Sequence, residues 1–275
     1  MADEPDNALV LQTSNNPKEL RRAAMLIAAG DSEADHKALR GALNSEVFLL
    51  KLNTEAEYDS DPNRLRLRHI MDQLENNQAP VARETILALI NSPGYLKSGG
   101  RIDLLIQASA VVRPATPDLV AFWDKYCQPE DGFTPLTIEA LTENGSKPAL
   151  ELLERKFTDP AHENDFKQSW MRSSILTHRN DTGLLQTCER MLAGGMPEEL
   201  RGDLVDVLFD YKPGEWYRPA VSYNPPGLSS YTSSARAQMR RLGDYATQNL
   251  KLTRQQQEAI RNMLEQLEHA RSAPP

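Results

Sequence analysis

Only two cysteines, Cys127 and Cys188, stand in the 275 residues, and they form no CxxC pair. A structural zinc site needs four ligands at characteristic spacing, and five scattered histidines (His36, His69, His162, His178, His269) do not supply it. No metal or cofactor is therefore expected. Long apolar runs are also missing: the longest, Ala23 to Ala29, falls far short of the ~20 residues a membrane helix needs. There is no basic surplus. Thirty-one Lys and Arg against 39 Asp and Glu leave a net charge of −8, the wrong sign for a general binder of nucleic acid or anionic membrane. The segment from Met1 to Asn7 has neither a basic start nor an apolar stretch, so the expectation is a cytoplasmic protein, a leader removed upstream being the alternative. The 40% hydrophobic and 25% charged residues suit a folded chain of one large or two small domains.

Apolar residues recur at helical spacing between short breaks, and almost nowhere alternate with the period of a strand. Ile102, Leu105, Ile106, Ser109 and Val112 mark one face; Leu119, Val120, Trp123 and Tyr126 mark another. Leu150, Leu153 and Phe157 come next, then Leu184, Leu185, Cys188 and Leu192, then Leu200, Leu204, Val207, Leu208 and Tyr211. Proline is tolerated at the first helical position, where its missing N–H had no partner anyway. Asn16-Pro17, Asp61-Pro62, Thr116-Pro117, Thr134-Pro135 and Met196-Pro197 all open such segments. Gly30, Gly145 and Gly194-Gly195 close them. The fold class is all-α, with about a dozen helices joined by short loops.

The chain also repeats itself. At an offset of 35, Leu141/Leu176, Thr142/Thr177, Leu150/Leu185, Glu154/Glu189 and Arg155/Arg190 are identical, and Phe157 faces Leu192. At an offset of 30, Ala110-Val111 lies over Ala140-Leu141, Val120 over Leu150, Phe122-Trp123 over Leu152-Leu153 and Asp124-Lys125 over Glu154-Arg155. The common unit is an apolar helix, a polar turn and a second helix that closes on acid, base and a bulky residue. A unit of that size cannot bury its apolar face alone and must stack on its neighbours. This pattern resembles the HEAT or armadillo-like class of α-solenoids over roughly residues 80–211, more faintly over 17–78. The resemblance implies a right-handed superhelix of stacked antiparallel helix pairs, and a curved surface for a protein or peptide partner. Some solenoids of this kind are DNA glycosylases, which keeps a HEAT-like enzyme open as an alternative, beside a structural subunit of a larger assembly. In this register Cys127 falls on Phe157 and Cys188 on Leu153, so both thiols are expected in the core. Asn144-Gly145-Ser146 and Asn180-Asp181-Thr182 match a glycosylation pattern but sit at equivalent turns, where capping explains them.

The expected organisation is a tail over 1–16, helical repeats over 17–211, a loop over 212–233, capping helices over 234–271 and a tail over 272–275. The loop holds four prolines and four aromatics, Trp216, Tyr217, Tyr223 and Tyr231. Linkers are poor in aromatics, while Trp, Tyr and Arg dominate binding hot spots. Three readings stand: a segment folded back to seal the array, a partner-binding loop gripping through Trp216, Tyr217, Arg218, Tyr223 and Tyr231, or an active-site lid. Asp203, Asp206 and Asp210, at i, i+3 and i+7, share one helix face. That stripe is either a solvated outer face or a complement to a basic partner. No phosphate-binding glycine motif, serine elbow or HExxH appears, so no catalytic residue is assigned. The sequence reading is a non-catalytic interaction scaffold.

Overall fold

The computed structural model describes residues 6–30, 32–45, 47–48, 80–93, 96, 102–128, 132–209 and 226–270. Among them all regular structure is helical. The chain divides into two compact units, Met1–Lys125 and Tyr126–Pro275.

In the first unit the helices are α1 (Asn7–Thr13), α2 (Pro17–Ala29), α3 (Glu33–Leu43), α4 (Pro80–Ile90), α5 (Ile102–Ser109) and α6 (Pro117–Lys125). Each of the first three begins on a short polar side chain that takes up an unpaired amide of the first turn. Asp6 accepts from Ala8 N and Leu9 N, Asn16 from Lys18 N with Pro17 at the first helical position, and Ser32 from Asp35 N. Leu20, Ala23, Ala24, Ile27 and Ala28 place one stripe of α2 in the core, and α1, α2 and α3 pack mutually. Next, α3 packs on α4, which packs on α5 and α6. Two polar groups inside this unit are satisfied locally. The Trp123 indole N–H donates to Ser109 Oγ at 2.9 Å, and one His36 ring nitrogen meets the Gly30 carbonyl at 2.5 Å. Each spares a buried polar atom the cost of losing water without replacement.

The second unit holds α7 (Thr134–Asn144), α8 (Lys147–Thr158), α9 (Asn164–Trp170), α10 (Thr182–Ala193), α11 (Glu198–Phe209), α12 (Ser233–Asn249) and α13 (Arg254–His269). Helix α9 runs on through a π-helical segment, Met171–Ile175, and a last turn, Leu176–His178. The turn between α7 and α8 is made by Gly145 at φ 64°, with its N–H on Leu141 O at 3.2 Å. A side chain is strained in that left-handed conformation, which is why glycine ends the helix there. Asp181 opens α10 by accepting from Leu184 N at 2.7 Å. Thr253 and Gln256 form a reciprocal capping box at the start of α13, as their spacing predicts.

The helices of this unit fall into two rows. Helix α8 packs on α10 and α10 on α12; in the other row the π segment continuing α9 packs on both α7 and α11, and α11 packs on α13. Positions matched at the 35-residue offset are buried in both copies: Leu141 and Leu176, Leu150 and Leu185, Leu153 and Cys188, Phe157 and Leu192. The structure departs from the sequence pattern after α11. The pattern ends there with no second helix in sight, yet α12 packs on α10 as α10 packs on α8. The intervening residues break the period without removing the packing partner, because an apolar helix face can dock on an earlier helix whatever the length of the connection.

Candidate interaction surfaces

The residues singled out in the loop divide in two. Trp216, Tyr217, Arg218 and Tyr223, with Asp210 of the acidic stripe, lie outside the described residues. Tyr231 lies within them and is fully buried. Its main-chain carbonyl accepts from Arg236 Nε at 3.0 Å. Its hydroxyl lies beside the Arg179 guanidinium but makes no hydrogen bond of good geometry. Burial pushes the phenol up to about 12, against the opposing pull of Arg179.

The end of the loop is tied to the helices around it. Arg236 also donates to Leu228 O at 3.2 Å and to Ala270 O at 2.7 Å, so one guanidinium joins this segment to the end of α13. Asn180 Nδ2 donates to Ser230 Oγ at 3.0 Å. Arg179, buried in the turn before α10, donates from Nη1 to Val207 O at 3.2 Å and Leu208 O at 3.1 Å. Those carbonyls belong to the last turn of α11, where no intrahelical donor remains, and a cation there also suits the helix dipole. The spacing of Arg179 gives no hint of this role.

The acidic stripe meets α13. Asp206 Oδ1 accepts from Gln256 Nε2 at 3.0 Å, and the same amide reaches Gly202 O at 3.3 Å. Gln256 is the third residue of α13, so the Asp206 carboxylate sits by the positive end of that helix, which offsets its repulsion from Asp203. Asp203 is half-buried and Asp206 exposed.

A second row of charges runs across the other layer. Arg190 Nε on α10 contacts Glu154 Oε2 on α8 at 2.7 Å. One pair along, Arg241 Nη2 on α12 contacts Glu189 Oε1 on α10 at 3.2 Å, and Gln238 Nε2 donates to Glu189 Oε2 at 2.7 Å. The acid of the dipeptide that repeats at offset 35 therefore meets a base on the next helix of the row, Glu154 with Arg190 and Glu189 with Arg241. Arg240 on α12 reaches Glu268 on α13 at 2.5 Å.

Lys167 is buried with Nζ donating to Asp159 O at 2.5 Å, and burial pulls its ammonium below the usual lysine range while Asp159 holds it up. His162 stacks edge-on against Trp170, which stacks edge-on against Phe157. Glu139 on α7, an exposed residue, is pushed above the usual carboxylate range by local desolvation of its carboxyl and by Glu143, with His178 opposing. Both thiols are buried, as the repeat register predicts, and Cys188 is pushed up to about 12 by burial. A thiol that keeps its proton is no nucleophile. Among the described residues no three His, Cys, Asp or Glu side chains are grouped to hold a metal ion, and no helix is long and apolar enough to cross a membrane.

No protein-family model matches the chain, and neither a curated protein nor a solved structure matches it.

Proposed function

We propose that this chain is a non-catalytic interaction scaffold of the HEAT or armadillo-like type, whose stacked helix pairs form a right-handed superhelix and hold a protein or peptide partner along their inner helices. One observation carries the reading: α8, α10 and α12 pack in succession and are bridged at equivalent points by Glu154–Arg190 and Glu189–Arg241. Stacked units of this kind present an extended surface with regularly spaced side chains, and that surface is the working part of such arrays. The segment 212–233 helps to grip the partner through Trp216, Tyr217, Arg218 and Tyr223, while its end around Tyr231 is a seal. The location expected for the protein is the cytoplasm.

The test is affinity capture from the native source with the wild-type chain and with a Trp216→Ala/Tyr217→Ala variant. A protein retained by the wild type and lost from the variant is the expected result. Equal recovery by both removes the loop from the binding surface, and the absence of any reproducible protein partner of the wild type contradicts the scaffold itself.

A further inference from the structure

Charge is unevenly shared between the two rows of the second unit. By sequence, α8 carries +1, α10 zero and α12 +2, whereas α7 carries −2, α9 with its continuation to His178 +1, α11 −3 and α13 −1, histidines counted neutral. The row of α8, α10 and α12 thus sums to +3 against −5 for the other; Lys156 in it is buried and Arg236 is spent on main-chain carbonyls, so its exposed cations are Lys147 and the other arginines.

Its ion pairs are also lopsided. The Arg190 side chain is 50% exposed and its partner Glu154 28%; Arg241 is 66% exposed and Glu189 24%. Each acid lies low between two helices and each guanidinium stands above it. Arg155 is exposed and adjoins Glu154 in sequence; Arg240, 57% exposed, adjoins Arg241. Because Arg190 touches Glu154 and Arg241 touches Glu189, the residue before Arg190, these two arginines succeed one another across α10 and α12, and Arg155 holds on α8 the position that Arg190 holds on α10 at the 35-residue offset. A guanidinium carries five N–H donors in a planar fork. Arg190 spends Nε on Glu154 and Nη2 on Thr187, and Arg241 spends Nη2 on Glu189, so each fork keeps donors for a further acceptor.

We infer that the exposed face of α8, α10 and α12 docks an extended acidic peptide segment of the partner, with carboxylates received by Arg155, Arg190 and the Arg240–Arg241 pair. Neighbouring helix axes lie about 8–10 Å apart, and an extended chain advances about 3.3 Å per residue. One carboxylate at every third residue therefore meets one helix after another. Carboxylate and guanidinium pair through two parallel hydrogen bonds, which fixes register as well as charge. A nucleic-acid duplex fits this row poorly. It brings one charge per ~1.7 Å of axis, far denser than one cationic site per helix can neutralise, against a chain that is negative as a whole. This assignment rests on the scaffold reading and names the partner chemistry and the row of helices that receive it.

The experiment is fluorescence anisotropy on the full chain with a labelled peptide of about twelve residues bearing Glu at every third position among Ser and Gly. The wild type is expected to bind, and to lose about tenfold in affinity between about 50 mM and about 500 mM salt as the charges are screened. An Arg155→Gln/Arg190→Gln/Arg241→Gln variant with unaltered circular dichroism is expected to lose about tenfold or more at low salt. Lysine at the same three positions keeps the charge and the helices but not the fork, and an intermediate loss is expected; this variant serves as the test should the glutamine variant fail to fold. Equal affinity of wild type and variants overturns the inference. So does tighter binding of a single-stranded oligonucleotide of equal charge, or of the matching lysine peptide. Failure here with a captured protein partner in hand leaves the scaffold standing; failure to capture any partner removes the scaffold instead.

Discussion

Arg190 on α10 reaches back to Glu154 on α8, its Nε 2.7 Å from Oε2, so a residue of one helix answers the acid of the helix before it in the row. The contact lies at the surface, where ion pairs are worth about 0–1 kcal/mol. A double-mutant cycle with Glu154→Gln and Arg190→Gln should return a coupling in that range that fades at high salt. A coupling of several kcal/mol would mean that the pair, not the apolar core beneath it, holds α8 to α10.

The Tyr231 ring and its hydroxyl make opposite predictions. The ring is fully buried, so Tyr231→Ala should cost about 3–5 kcal/mol, as for other large aromatic deletions. The hydroxyl makes no hydrogen bond of good geometry, so Tyr231→Phe should leave the denaturation midpoint unchanged or raise it. A large loss in the phenylalanine variant would show that the hydroxyl has an essential acceptor.

Arg179 joins the turn before α10 to the end of α11 through two main-chain carbonyls. Arg179→Met keeps most of the volume and removes both donors. Leaving buried carbonyls unmet costs about 1–3 kcal/mol each, and hydrogen exchange should quicken in the last turn of α11. Unaltered exchange there would deny the capping role.

Gly243 sits where α12 crosses α13. A Cβ at this position would lie 3.0 Å from Ile260 Cγ2 and from Leu264 Cδ1, and 3.6 Å from Phe209 Cε1. Gly243→Val should therefore overpack the crossing and lower stability by about 1–3 kcal/mol despite the loss of a flexible residue. A rise in the melting temperature would contradict that close approach.

Glu139 sets a pH dependence. In the folded chain its carboxyl holds a proton to higher pH than in the unfolded chain. That proton favours folding at acid pH, and the contribution is lost as pH rises through the folded value. Ionised Glu139 is thus a cost at neutral pH. Because Glu139 is exposed, Glu139→Gln should raise the melting temperature at pH 7 only slightly, with the gain shrinking toward about pH 4, below which both proteins carry a neutral group here. A gain that grows on acidification would reverse the assigned sign.

Helix starts and buried helix faces were legible because each rests on local chemistry. Asn16-Pro17 and Thr253…Gln256 are caps whatever surrounds them, and the 35-residue register places Leu153 and Cys188 at the same buried position. Long-range pairings were not legible. The repeat shows Glu154/Glu189 and Arg155/Arg190 as identities, but which base meets which acid depends on how neighbouring helices slide, and that is set by packing. The place of α12 was hidden by the interruption after α11. The acidic stripe offered solvent or a basic partner; Asp206 is exposed and also meets Gln256 at the first turn of α13, an uncharged amide that charge patterning passes over. Tyr231 has the composition of a binding anchor, and only the fold distinguishes it as core.

Whether a partner lies across the row of α8, α10 and α12 is decided by arginine footprinting. The chain is treated with a guanidinium-selective dicarbonyl reagent, alone and with its captured partner, and modification is read residue by residue. Protection of Arg155, Arg190, Arg240 and Arg241 is expected, with Arg254 and Arg261 of α13 modified equally in both states. Undiminished modification of those four arginines, with protection elsewhere on the chain, would contradict a partner seated on this row.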